Sequence, residues 1–346
     1  MLETIWFCLV ALTVATYVVL DGYDLGAGII HLFAARSGDE RRLVIRSIGP
    51  FWDGNEVWLL AGGGTLYFAF PALYAASFSG FYLPLMMVLW LLMLRGISIE
   101  FRSHVESPVW QSLWDAGFGV ASALLAIFFG AALGNVVRGV PLDASGYFFL
   151  PLWTDFGIGG ELGILDWYTV TTGLAAFMTL TVHGALWVAL KTDGAIEQRC
   201  RSLALRAWWP TGALILLITV LSFWIQPQLA ASFSARPWGY VIPAAALTAF
   251  LLVRVWARRR PAAAFLASSI FIAGMLSSAA FGLYPYVLPS RIDTRFGLTI
   301  TNAAAPAYGL NIGLAWWIPG IALAIAYVVF MYRHFAGKVR LPEEGY

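Results

Sequence analysis

Residues 4–30 read TIWFCLVALTVATYVVLDGYDLGAGII. No charged side chain occurs in that stretch before Asp21. About 20 mostly apolar residues cross the hydrocarbon core of a bilayer as a helix, so the stretch reads as a transmembrane span. It lacks the basic leading residues and the small-residue cleavage site of a signal peptide, and reads as a retained first helix. Comparable apolar stretches recur at 50–70, 76–96, 114–136, 166–190, 207–226, 238–256, 262–287 and 311–332. The seventh and eighth are separated by little more than Arg258-Arg259-Arg260-Pro261 and form a tight hairpin. The expected fold is all-α: a polytopic membrane protein of about nine transmembrane helices, with residues 1–346 as one integral membrane domain.

Composition points the same way. Of 346 residues, 60% are hydrophobic and 12% charged, about half the charge a soluble domain uses to cover its surface. Sixteen Trp and 24 Phe add apolar area that a bilayer accommodates and water does not. A net charge of +2, with no single basic patch, argues against a nucleic-acid partner.

Lys and Arg set the orientation. Taking the connections alternately, 17 of the 21 basic residues fall in one set, from Arg36, Arg41, Arg42 and Arg46 to Arg333, Lys338 and Arg340. The other set holds Arg138, Arg236, Arg291 and Arg295. The N-terminus is therefore expected outside and the C-terminus in the cytoplasm. The segments near 137–165 and 288–310, rich in Gly, Pro and aromatics, are expected to be structured outer caps. Cys8 and Cys200 then lie at opposite faces and do not pair.

Acids within the spans carry the functional signal, since each costs on the order of 3 kcal/mol on insertion scales. Asp21 and Asp24 share one helix face by their i, i+3 spacing, and so do Asp53 and Glu56. Glu100, Arg102 and Asp115 belong to the same cytoplasmic side. One reading is structural: the acids pair with Arg46, Arg95 or Arg102 and pin helices together. The other is a proton path through Asp53, Asp21, Asn55, Glu56 and Asp24. Asp53 is its leading member, because Gly54 and Asn55 beside it permit close helix approach and hydrogen bonding. The glycines at 22, 26, 28 and 62–64 read as helix-packing faces.

Histidine is scarce. Of His31, His104, His183 and His334, only His183 lies well within a span, where it reads as a hydrogen-bonded packing residue. A bis-His haem needs two facing imidazoles, so no haem or metal is expected on this chain alone. No phosphate loop, nucleophile triad or zinc pattern is present.

Three blocks then resemble a known family: Leu20-Asp21-Gly22-Tyr23-Asp24-Leu25-Gly26-Ala27-Gly28; Gly49-Pro50-Phe51-Trp52-Asp53-Gly54-Asn55-Glu56-Val57-Trp58-Leu59; and Phe78-Ser79-Gly80-Phe81-Tyr82-Leu83-Pro84. Arg95-Gly96, Glu100-Phe101-Arg102, Trp114-Asp115, Gly134-Asn135, His183-Gly184-Ala185 and Tyr284-Pro285-Tyr286-Val287-Leu288-Pro289-Ser290 continue the likeness along the chain. It resembles subunit II of the cytochrome bd quinol oxidases, including the cyanide-insensitive variety. The resemblance implies two four-helix bundles with a peripheral ninth helix, in a bacterial cytoplasmic (inner) membrane. It implies a larger partner, subunit I, that holds two b-type haems and one d-type haem, oxidises quinol and reduces dioxygen to water. It allows small accessory membrane subunits, and in some members a structural quinone in subunit II. It gives the acids corresponding to Asp21 and Asp53 a part in a proton route from the cytoplasm. Trp52, Glu100, Arg102, Asp115 and His183 are the structural or subunit-contact candidates.

Composition and buried acids alone allow a rival, a proton-coupled secondary transporter, and no matched pair of broken helices marks one here. A purely structural scaffold is the third reading.

Overall fold

The computed structural model describes residues 1–341. Among them the chain forms α1 (Leu2–Ala34), α2 (Gly38–Ile48), α3 (Trp52–Ala69), α4 (Pro71–Gly80), α5 (Tyr82–Phe101) and α6 (Pro108–Arg138). It continues through α7 (Trp167–Lys191), α8 (Gly194–Ile225), α9 (Pro227–Ala235), α10 (Val241–Trp256), α11 (Pro261–Leu283) and α12 (Ala307–His334). Eight segments are long and apolar enough to cross a membrane: α1, α5, α6, α7, α8, α10 with the turn before it, α11 and α12. α3 is not one of the eight; its 18 residues span about 27 Å and carry Asp53, Asn55 and Glu56 near the start.

Several boundaries differ from the hydropathy reading, each for a local reason. The stretch 76–96 is two helices, because α4 ends at Gly80 and α5 starts at Tyr82. The Pro84 ring would clash with the carbonyl four residues back, at Gly80, and that is where the helix stops. The stretch 262–287 ends early, at Leu283. Tyr284, held before Pro285, is extended at φ −53° and ψ 132°. Tyr286–Leu288 then forms a strand antiparallel to Leu298–Thr299. α8 begins at Gly194 rather than near 207, since its first turns are amphipathic: Ile196, Cys200 and Ala204 are buried while Glu197 and Arg201 pair on the other side.

α1, α3, α5 and α6 pack as one group, and α7, α8, α10 and α11 as a second; α1 and α6 against α7 join the two. α12 lies at the margin, with none of its apolar window buried. It is tied to α1 by the Trp6 indole, which donates to the Leu310 carbonyl at 3.2 Å. At one end, the segments after α6 and α11 fold into a cap with its own core of Val140, Leu142, Phe148, Leu150, Leu288 and Ile300. At the other end lie α2 and the basic connections.

The axis of the assembly is the second half of α1. Every residue from Asp21 to His31 is buried. α1 meets α7 at Gly26 and Gly184, where a Cβ on Gly184 would come within 2.2 Å of the Gly26 backbone. Only glycine fits there, because backbone cannot give way.

α2 is fastened at the basic end. Ser37 Oγ accepts from the Glu40 amide and so caps the helix. The Glu40 carboxylate accepts from the Arg36 amide at 2.7 Å and pairs with Arg199, whose Nε donates to the Ala34 carbonyl at 2.7 Å. Burial pushes the Glu40 carboxyl up, but the Arg36 amide and the Arg199 guanidinium outweigh it and hold the group below its ordinary 4.5.

Two outcomes are expected. Gly184→Ala forces α1 and α7 apart at a cost of about 1–3 kcal/mol or more, read as loss of monodisperse protein on size exclusion. Gly38→Ala, at the start of α2 with open space around it, leaves yield unchanged. A depressed carboxylate contributes stability above its unfolded value and loses it as pH falls through the folded one. Thermal unfolding of Glu40→Gln should therefore lose about 0.5–1 kcal/mol at neutral pH and match the parent in acid.

Candidate functional site

Three groups of buried polar side chains meet near the basic end, each built on α1. In the first, Arg95 of α5 is fully buried. Its two terminal nitrogens donate to both oxygens of Asp21, at 2.9 and 2.7 Å. One of them also reaches Glu56 of α3 at 3.1 Å. A guanidinium fork matches a carboxylate in this bidentate way, and here it ties α1, α3 and α5 at one point.

In the second, one acid gathers three basic groups. Asp115, near the start of α6, accepts from His31 at 2.6 Å and from Arg41 at 3.0 Å, and pairs with Arg102 through Nε and, at 3.3 Å, Nη2. It joins α6 to the end of α1, to α2 and to the residue closing α5.

The third is uncharged except for one acid. Asn55 of α3 donates to Asp24 at 2.8 Å and to the Tyr23 hydroxyl at 2.6 Å. Tyr23 bonds the Tyr332 hydroxyl of α12 at 2.7 Å and stacks on Trp187 of α7. The second Asp24 oxygen meets no donor among the described residues.

His183 stands apart from these groups. Nδ1 lies 2.7 Å from the Ser268 hydroxyl, Nε2 lies 3.0 Å from the Val19 carbonyl, and the ring stacks on Phe265. A ring nitrogen facing a carbonyl must carry a proton, so Nε2 donates to Val19 and the ring braces α1, α7 and α11. The buried His31 is committed to Asp115. These imidazoles do not fit an axial haem pair, and among the described residues no group of metal-ligating side chains assembles. At the opposite end, buried Arg138 pairs with Asp166 and takes the Asn135 amide oxygen at 2.7 Å, while Asp166 caps α7.

The chain matches the model of the cytochrome bd terminal oxidase subunit II family over residues 2–335. The chain belongs to that family. It is similar to the cytochrome bd-I ubiquinol oxidase subunit 2 of Escherichia coli K12, 30% identical over 98% of this chain and 95% of that one. The cytochrome bd ubiquinol oxidase subunit 2 of Bacillus subtilis is 30% identical over 99% and 98%. The probable cytochrome oxidase subunit 2 of Haemophilus influenzae is 29% identical over 98% and 95%. Among solved structures, bd oxidase from Geobacillus thermodenitrificans shares the fold, with a TM-score of 0.77 at 20% identity over 97% of this chain and 98% of that one. The protein is thus the second subunit of a quinol oxidase, a multi-pass oxidoreductase component of a bacterial inner membrane, and it implies a subunit I partner. Family membership sets the transporter reading aside.

The subunit brings Asp21, Glu56, Asp24 and Asn55 together, and pairs Asp115 with Arg102. It leaves Asp53 apart, on the outer face of α3 with Val57, Leu60 and Gly64. Glu100 is exposed at the end of α5, and Trp52 lies against Gly96. Among the described residues Arg46 takes no acid; it donates to the Arg340 carbonyl at 3.3 Å. The sequence reading did not include His31, Arg41, Tyr23 or Tyr332 in the site. His31 carried a signal, three residues after Gly28 near a helix end; Arg41 and Tyr332 carried none.

A buried pair broken on one side costs about 3–5 kcal/mol. Arg95→Gln is expected to cost that much, and Asp21→Asn with Arg95→Gln to recover most of it, in a double-mutant cycle read by thermal unfolding. Additive losses would mean the two side chains do not act as a pair.

Proposed function

We propose that this subunit supports a haem-bearing subunit I by supplying a proton-uptake path from the cytoplasm, with α3 as a ninth crossing, the N-terminus outside and the C-terminus inside. In this reading subunit I holds two b-type haems and one d-type haem, which would pass electrons from quinol to dioxygen. The relatives named for ubiquinol make that quinol the first substrate to assay. The residues of this chain hold and move protons.

The observation that carries the proposal is Asp53. It is exposed on α3, with no side-chain partner among the described residues, on a face that also presents Gly63 and Gly64. A carboxylate turned to lipid costs several kcal/mol, whereas one turned to a partner subunit can be hydrated and used. Small residues on the same face allow a partner helix to come close. This face is therefore the one proposed to meet subunit I, with Asp53 handing protons across the boundary.

The buried acids divide the remaining work. Asp21 is held on both oxygens by Arg95 and acts as its counter-charge. Glu56 is only partly covered and shares the same guanidinium, so it can exchange protons with water. Asp24 keeps one oxygen clear of donors, where a proton can sit and leave. Asn55 and Tyr23 orient it.

Asp53→Asn is expected to lower quinol oxidase turnover by roughly one to two orders of magnitude in a complex of normal yield and haem content. Asp21→Asn is expected to lower yield instead. Normal turnover with reduced yield in Asp53→Asn would make this acid a scaffold residue and refute the relay.

A further inference from the structure

At the basic end an open cavity of about 580 Å³ lies between the turn joining α2 to α3, the end of α7 and the chain that follows α12. Its size falls within the roughly 300–1,000 Å³ of sites for small ligands. Four basic side chains line it, Arg46, Lys191, Lys338 and Arg340, and among the described residues no Asp or Glu does. Among the described residues only Lys338 has acidic partners, Asp193 at 3.3 Å and Glu197 at 3.9 Å.

Lys191 is the informative one. It is 6% exposed. Its ammonium donates to the Phe335 carbonyl at 2.6 Å and lies 5.3 and 5.5 Å from the Phe51 and Trp187 rings. A carbonyl and two ring faces orient the charge without neutralising it. A buried cation of this kind calls for an anion. Arg46 spends one N–H on the Arg340 carbonyl and has donors to spare.

The setting selects among anions. The cavity stands at the ends of two membrane-crossing helices, α7 and α12. Along α12, exposed apolar side chains such as Phe330 lead up to Phe335 at the rim. Acyl chains can lie on that surface while a headgroup enters among the cations. Basic pockets beside transmembrane helices on this side of a membrane bind anionic headgroups.

The geometry points to a binding site for the phosphate of an anionic phospholipid headgroup, held by Arg46, Lys191 and Arg340. The site is independent of the proton path and of any haem. It adds a shared anion to the direct bonds that hold the end of α12 to α2 and α7, among them Lys191 to the Phe335 carbonyl, the Val339 amide to the Lys191 carbonyl and Arg46 to the Arg340 carbonyl.

The test uses the complex purified from its own membranes and placed in nanodiscs of phosphatidylglycerol or phosphatidylcholine, with retained lipid counted by native mass spectrometry. The parent should keep a phosphatidylglycerol in preference to phosphatidylcholine. Arg46→Gln with Arg340→Gln, two exposed positions that leave the fold intact, should weaken retention roughly 30-fold. Lys191→Gln should abolish it wherever the variant folds. Equal retention by parent and the double variant overturns the site. Equal retention of the two lipids, with inorganic phosphate bound by the parent in detergent and lost in the variant, assigns the cavity to free phosphate and overturns the lipid. Retention that appears only after deletion of residues 342–346 means that Glu343 and Glu344 of this chain occupy the place, and overturns it as well.

Discussion

A guanidinium does not lose its proton inside a protein, so a fully buried arginine must be met by carboxylate wherever the chain puts it. Arg95 is such a residue, and the arrangement of α1, α3 and α5 follows from matching it. Asp21 takes both ends of the fork, which sets the rotation of α1 about its axis. With that rotation set, Asp24 turns toward α3 and Gly26 toward α7. His31 turns toward α6, where Asp115 gathers the second cluster. The buried half of α1 is thus both the packing axis of the protein and the strip on which its charges are arranged.

Burying this many charges near a membrane makes sense only if they are used or matched. Asp115, with three basic neighbours, is matched and serves to hold helix ends together. Asp24, with one free oxygen, and Asp53, facing outward, are not matched among the described residues. The division between matched and unmatched acids separates the residues that build the subunit from those proposed to work for the oxidase. On the two proposals above, the α3 face meets the haem-bearing partner and the α12 side meets lipid.

The apolar runs made the helical membrane fold plain, and the i, i+3 acids on α1 and α3 marked the end where the buried polar groups assemble. Arg95 and Arg102 were legible as partners because a span with an acid needs a base nearby. What the sequence could not show was which acid each arginine takes, since Asp21 and Arg95 are 74 positions apart and nothing local links them. Asp53 illustrates the opposite limit. Its neighbours Gly54 and Asn55 suggested a buried relay, yet Asn55 turns inward while Asp53, two residues earlier, turns out. Hydropathy also ran smoothly across Gly80–Tyr82, where Pro84 divides one expected span into two helices.

The most direct check of the account is to tag this chain in its native membrane, extract it in mild detergent and record the reduced-minus-oxidised spectrum of what accompanies it. The account predicts haem bands together with a larger partner, and no haem bands when this chain is expressed alone. A haem-free monomer or homo-oligomer recovered from that same native membrane would contradict it.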